Sequence, residues 1–256
     1  MFYLCIMVGV KTANALTMNE DGTYVTSKGI KITNQQYNVL KERGHIKLID
    51  KFDEGIINVL SSNSVVIKGE YKTEAKSENF NNIYTNLLDL SSNNNYTSPS
   101  KTITIEYYND EEGAVIHIYN NWLSMPKIRK YDVIAARWDN NVTGISIYAT
   151  QSSNVGDSFY DASSDHTKIS SKGVGVSMNL YDKATSLSND LYVYSPNKSA
   201  FGNNAYGTYQ HARHSNVTLS ISKAYSISPS GYGGVLYWSN STYRNYFDNM
   251  TGVTAY

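Results

Sequence analysis

The spacing of apolar and polar residues divides this 256-residue chain into stretches with different periods. Near the start, ITNQQYNVLKERG (residues 32–44) places Tyr37 and Leu40 on one helical face. Thr33 is positioned to cap that helix and Gln36 to close a capping box, with Ile32 and Tyr37 at staple positions. Gly44 provides a left-handed stop. A second apolar stretch, Ile46 to Leu60, predicts a helix through Phe52, Ile56, Val59 and Leu60, with Gly55 as its weak point. These elements define a small helical unit over residues 16–66. Residues 67–100 then read as a polar linker. Within it, Phe80, Ile83, Tyr84, Leu87 and Leu88 have helical spacing, and SSNNNYTSPS (91–100) has the composition of a domain boundary.

After Lys101 the period changes to two. Ile103, Ile105 and Tyr107 alternate with Thr104 and Glu106, NDEEG turns the chain, and Ile116 and Ile118 flank His117, which predicts a hairpin. Tyr131 to Trp138 is apolar on both faces apart from Asp132 and Arg137, as a central strand would be. Further runs lie at Val174/Val176/Met178/Leu180, Leu191/Val193 and Val217/Leu219/Ile221. Near the end, Tyr243, Tyr246, Phe247 and Met250 predict a short helix stopped by Gly252. The expected fold is mainly β. An antiparallel sandwich or barrel over residues 101–256 follows the helical N-terminal unit.

Composition supports this reading. The chain holds 23 tyrosines and only 17% charged residues, a mix that suits pleated, half-buried surfaces. Its 22 basic and 22 acidic side chains cancel, so the electrostatic footprint of a nucleic-acid binder is absent. Phe2 to Val10 is a short apolar run followed by Ala13-Asn14-Ala15, the pattern of a signal peptide over residues 1–15 cleaved before Leu16. No basic residue precedes the run, which departs from that pattern. Cys5, the single cysteine, falls inside this segment, so a processed chain would contain no disulfide. The closing GVTAY lacks a sorting signal, and the product is expected to be released rather than anchored.

Catalytic templates fail along the whole chain. No G-x-S-x-G and no G-x-x-x-x-G-K-[ST] occurs, and Ser98-Pro99-Ser100-Lys101 matches S-x-x-K without a K-T-G partner. No cofactor is implied. His211 and His214 could share a metal only on a helix, and their surroundings read as an exposed loop. Asp157, Asp161 and Asp165 read as a solvated loop rather than a calcium site. Asp132 is expected to pair with Arg129, Arg137 or Lys130. No metal site is therefore assigned. Aromatic rings remain as candidate binding residues: Trp122, Trp138, Tyr232, Tyr237 and Trp238, together with outward strand tyrosines Tyr181, Tyr192 and Tyr194.

Two stretches resemble blocks of exported, uncharacterised Firmicutes proteins. One is the I-T-x-x-x-Y-x-x-L-x-x-x-G pattern of Ile32 to Gly44. The other combines Trp122, Met125, Pro126, Arg129, Tyr131-Asp132-Val133-Ile134-Ala135 and Arg137 with the later Ser230 to Gly234. The resemblance implies export from a Gram-positive cell and a β-fold, and it carries no activity. The leading expectation is a secreted, non-catalytic module that binds cell-surface glycan or a protein partner. A membrane-active toxin-like β-protein and an exported hydrolase are the alternatives, and homo-oligomeric assembly stays open.

Overall fold

The computed structural model describes residues 16–62, 66–69, 95–97, 100–213, 225–227, 236–238 and 252–255. Three short strands open it, β1 (Thr17–Met18), β2 (Tyr24–Val25) and β3 (Lys31–Ile32), paired antiparallel in that order. Helix α1 (Asn34–Glu42), a 3₁₀ turn (His45–Leu48) and helix α2 (Glu54–Ser61) complete the N-terminal unit. The remaining strands are β4 (Val66–Gly69), β5 (Asn95–Thr97), β6 (Lys101–Asp110), β7 (Gly113–Trp122), β8 (Asp132–Trp138), β9 (Ser146–Ser153) and β10 (Gly156–Asp161). After them come β11 (Thr167–Ser170), β12 (Gly173–Met178), β13 (Leu187–Ser195), β14 (Ala205–His211), β15 (Tyr225–Ile227), β16 (Leu236–Trp238) and β17 (Gly252–Ala255). Among the described residues, no helix is long and apolar enough to cross a membrane.

Two antiparallel sheets face each other and stay open rather than closing into a barrel. The larger runs β10-β9-β13-β7-β6-β4, with β5 also on β6, and the second runs β11-β12-β8-β14-β17. Strand alternation fills the space between them. From the large sheet come Ile103 and Ile105 of β6, Ile116 and Ile118 of β7, Leu191 and Val193 of β13, and Ile147 of β9. The second sheet answers with Ile134 and Trp138 of β8, Val174 and Val176 of β12, and Tyr209 of β14. The β6–β7 hairpin turns at Glu111-Glu112 between paired Asp110 and Gly113, where the NDEEG segment predicts it. Strand β8 is central and buried along its full length, as its unbroken apolar pattern requires.

The opposite face of the large sheet is covered as well. Tyr108, Val115, Tyr148, Tyr192 and Tyr194 point away from the sandwich and meet Ile32, Leu40, Leu48, Phe52, Ile56 and Leu60 of the N-terminal unit in a second core. The outward tyrosines Tyr192 and Tyr194 are therefore buried, not displayed to solvent. Tyr181 lies outside any strand and packs half-buried on the sandwich core.

The N-terminal unit forms for local reasons readable in its sequence. Thr33 Oγ1 accepts from Gln36 N at 3.1 Å, and Gln36 Oε1 accepts from Thr33 N at 3.0 Å, closing the capping box of α1. Gly44 at φ 81° ends α1 and turns the chain into the 3₁₀ segment, a conformation that glycine adopts without strain. Arg43 Nη1 reaches the carbonyls of Leu60 (2.7 Å) and Ser62 (2.9 Å), tying the end of α1 to the end of α2. The 80–88 helix, the Val217–Ile221 strand, the terminal helix near Tyr246 and the 1–15 signal segment lie outside the described residues.

Gly55 has a packing role. A methyl group there would lie 2.1 Å from Tyr194 Oη and 2.7 Å from Tyr194 Cζ, so its absence is what lets α2 close on β13. Gly55→Ala is expected to destabilise the fold by about 1–2 kcal/mol despite the better helix propensity of alanine, because overpacking outweighs it. In a Tyr194→Ala background the same change should become neutral or stabilising. Urea unfolding of the four proteins of that double-mutant cycle measures the coupling.

Candidate functional site

The tryptophans are structural. Strand alternation turns Trp122 and Trp138 into the sandwich, where they are 6% and 0% exposed. Trp122 Nε1 donates to Tyr209 Oη at 3.2 Å, and Trp138 Nε1 donates to the Ser171 carbonyl at 3.0 Å. Neither ring offers a face to a ligand, which corrects the expectation drawn from the sequence. Tyr232 lies outside the described residues. Tyr237 and Trp238 are described only by the backbone pairing of β16 with β15.

Two further expectations change around Trp122. His211 is buried at the end of β14, and its Nδ1 donates to Asp132 Oδ1 at 2.8 Å. Asp132 Oδ2 accepts from Tyr209 Oη at 2.5 Å, so this carboxylate is held by Tyr209 and His211 rather than by Arg129, Arg137 or Lys130. Arg129 instead donates to the carbonyls of Tyr181, Asp182 and Ala184, and Arg137 stacks on Tyr206. Lys101, where the alternating region begins in the sequence, is the first residue of β6 and is buried with its ammonium 5.0 Å from the Trp122 ring centroid. His214 is not described. Asp157 and Asp161 sit on edge strand β10, and Asp161 accepts from Ser163 N and Oγ in its own turn.

The residues that come together for chemistry lie on the other face of the large sheet. Glu106, His117, Tyr192 and Tyr148 stand directly opposite one another on β6, β7, β13 and β9, forming one row across four strands. His117 Nδ1 is 3.1 Å from Glu106 Oε2 and its Nε2 is 3.0 Å from Asp190 Oδ1. Two carboxylates can only accept, so both ring nitrogens carry protons and His117 is an imidazolium. Its ring stacks on Tyr192 at 4.1 Å and 9°. From the 3₁₀ turn, His45 descends onto this row, with Nε2 at 2.7 Å from Tyr108 Oη and Nδ1 at 3.1 Å from Tyr192 Oη. Tyr108 Oη donates to Glu106 Oε2 at 2.8 Å. The Tyr108 proton being committed to Glu106, His45 donates from Nε2 and accepts at Nδ1 when neutral.

Electrostatics follow from this packing. Burial opposes a charge on His117, but its bonds to Asp190 and Glu106 win, and its pKa rises to about 9. Burial likewise opposes ionisation of Glu106, and the bonds from His117 and Tyr108 with the nearby imidazoles hold its carboxyl well below the usual range. Burial pushes the Tyr192 phenol up, and Asp190 adds to the shift. One oxygen of the buried Asp190, Oδ2, has no hydrogen-bond partner among the described residues. His45, Glu106 and His117 present one ligand atom each within 4.8 Å of one another and are the group that could hold a metal ion among the described residues.

Beside this cluster, the sheet and the N-terminal unit part to form a groove of about 640 Å³. Its floor continues the outward rows. Tyr119 and Thr150 flank Asp190 in register, Phe159 follows Thr150 on β10, and Asn121, Ser188, Ser152 and Asp157 make the next row. Lys47, Leu48, Asp50 and Lys51 form the opposite wall. Lys47 Nζ reaches Ser188 Oγ at 3.2 Å, and Lys51 Nζ stands 5.9 Å from the centroid of the Phe159 ring. The Phe159 ring is 39% exposed. Asp50 is held by Ser27, whose amide and hydroxyl donate to its two oxygens.

No protein-family model matches the chain, and no curated protein matches it. The His117 position had a sequence signal, a histidine alternating with isoleucines opposite a glutamate in a predicted hairpin. His45 and Asp190 had none, because each reaches the cluster only through long-range packing.

Two outcomes are expected. Trp138→Ala should cost about 3–5 kcal/mol in chemical unfolding, the magnitude of a large core deletion. In metal-free buffer, the stability that His117 contributes, on the order of 3 kcal/mol, is present in full below its unfolded pKa near 6.5 and fades as pH rises through about 9. The depressed Glu106 acts oppositely, adding stability above about 4.5 that is lost as pH falls. Urea midpoints from pH 4 to 10 should therefore decline on the alkaline side in the parent protein and stay flatter there in His117→Gln.

Proposed function

We propose that this protein is a secreted, non-catalytic binding module whose ligand is a cell-surface glycan. The observation that carries the reading is the groove beside Phe159. One exposed aromatic ring stands among hydroxyl and carboxamide side chains in an open groove of about 640 Å³. Sugars bind by stacking their apolar faces on such rings while small polar side chains take the hydroxyls. Asn121, Ser152, Asn154, Asp157 and Ser188 supply those polar groups. Of the carboxylates at the groove, Asp50 is committed to Ser27 and the neighbouring Asp190 to His117, which leaves Asp157 without the second carboxylate that glycoside hydrolysis uses. This supports binding over hydrolysis. The membrane-active alternative loses its main support, because Tyr192 and Tyr194 lie beneath the N-terminal unit. Export is inferred from the Phe2–Val10 run and the Ala13-Asn14-Ala15 site.

The test is glycan-array screening of the full chain, followed by calorimetry on the best ligand. Phe159→Ala and Asn154→Ala should each weaken binding at least about tenfold, while Trp138→Phe, inside the core, should leave affinity unchanged. Background signal on every glycan, or a ligand whose affinity ignores Phe159, would sink the proposal.

A further inference from the structure

The structure assigns a buried divalent-metal site of the zinc class to His45, Glu106 and His117, placed where the N-terminal unit meets the large sheet. This inference is independent of the glycan groove. The 3₁₀ turn and the distant β6–β7 hairpin bring ligand atoms to within 4.8 Å of one another. His117 Nδ1 lies 3.1 Å and His45 Nε2 3.9 Å from the same oxygen, Glu106 Oε2. Ligands around a tetrahedral zinc, at metal distances near 2.0–2.1 Å, stand roughly 3.4 Å apart. The two observed separations bracket that value. The third pair, His45 with His117, lies within 4.8 Å.

The outer partners of the two histidines point the same way. In metal sites the imidazole nitrogen facing away from the ion is held by a carboxylate or another polar group, which fixes ring orientation. Here His117 Nε2 is held by Asp190 Oδ1 at 3.0 Å, and His45 Nδ1 by Tyr192 Oη at 3.1 Å. The Tyr108 hydroxyl, 2.7 Å from His45 Nε2 and 2.8 Å from Glu106 Oε2, is placed to supply a fourth ligand. Two imidazoles, a carboxylate and a phenol suit zinc, whereas calcium and magnesium prefer oxygen alone.

Binding has a defined proton balance. His117 releases its Nδ1 proton to solvent and keeps Nε2–H on Asp190, and Tyr108 would bind as the neutral phenol, keeping its proton toward the Glu106 carboxylate. His45 adopts the tautomer with hydrogen on Nδ1, donating to Tyr192 Oη, which frees Nε2 for the ion. Nothing is oxidised or reduced. Since His45 and His117 are both buried, the ion enters as the N-terminal unit docks, so uptake belongs to folding. The metal would join residues that no disulfide joins.

The experiment uses the full chain, stripped with EDTA and then exposed to Zn²⁺ or Co²⁺ both as folded protein and during refolding. The expected result is one ion per chain after gel filtration, with the intense visible absorption of four-coordinate Co²⁺. Glu106→Gln and His45→Gln should each lower affinity at least about 100-fold, and the double variant His166→Gln/His211→Gln should bind like the parent. Should the ligand variants fail to fold, the parent protein decides alone. Its Co²⁺-shifted imidazole proton resonances must show contacts to the Tyr108 and Tyr192 rings. The assignment is overturned if refolded parent protein takes up no metal, if uptake survives both ligand substitutions, or if the shifted imidazoles belong to other histidines.

Discussion

The large sheet of this protein is covered on both faces, and much of the rest follows from that constraint. An antiparallel sheet usually turns one face to the core and the other to water, so its sequence alternates apolar and polar. Here the alternation persists, but the polar-side residues of β6, β7, β13 and β9 are buried beneath α1, α2 and the 3₁₀ turn. Hydrogen-bonding groups on that face are driven to find protein partners, because a buried polar group left alone is costly, and Asp190 Oδ2 is left without one among the described residues. His117 between Glu106 and Asp190, and His45 between Tyr108 and Tyr192, are the solution adopted.

Tyrosine is the residue that makes this second interface workable. Its ring supplies apolar area and its hydroxyl supplies direction. Phe52 packs edge-on to Tyr148 and Tyr192, while Tyr148 donates to Asp53 and Tyr194 donates to the Glu112 carbonyl. Asp53 stands at the N-cap of α2 without bonding the helix through its side chain, its carboxylate being engaged instead by Tyr148 and Lys28. The N-terminal unit is thus located by hydroxyl tips at fixed points, not merely by contact between greasy faces. Where those contacts end, the groove beside Phe159 begins, so the same sheet face passes from dry interface to polar cleft along adjacent rows.

Much of the fold was legible in the sequence. The capping box at Thr33 and Gln36, the hairpin around NDEEG and the central strand β8 were predicted because each depends on local periodicity or turn chemistry. Strands β9 and β14 were not, since SIYATQSS and AYGTYQH place polar or small residues on both faces and lack clean alternation. The site was less accessible still. Trp122 and Trp138 drew attention as exposed aromatics, yet their strand parity sends them inward. His211 looked like a loop residue because β14 extends farther than its composition suggests. The partners of His117 come from residues 45, 106 and 190, and only strand register and helix docking bring them together.

The docking arrangement also orders events in time. The His45–Tyr192 hydrogen bond spans 147 residues and the Tyr148–Asp53 bond spans 95. A ribosome delivers α1 and α2 first, but strand β13, which carries Tyr192 and Tyr194, emerges only after most of the chain. Helices of eight and nine residues are marginal without a partner surface. During synthesis the N-terminal unit therefore spends its early life uncommitted, and contacts of such long separation form slowly. A unit made well before its partner strands is thus among the last parts to acquire its final structure.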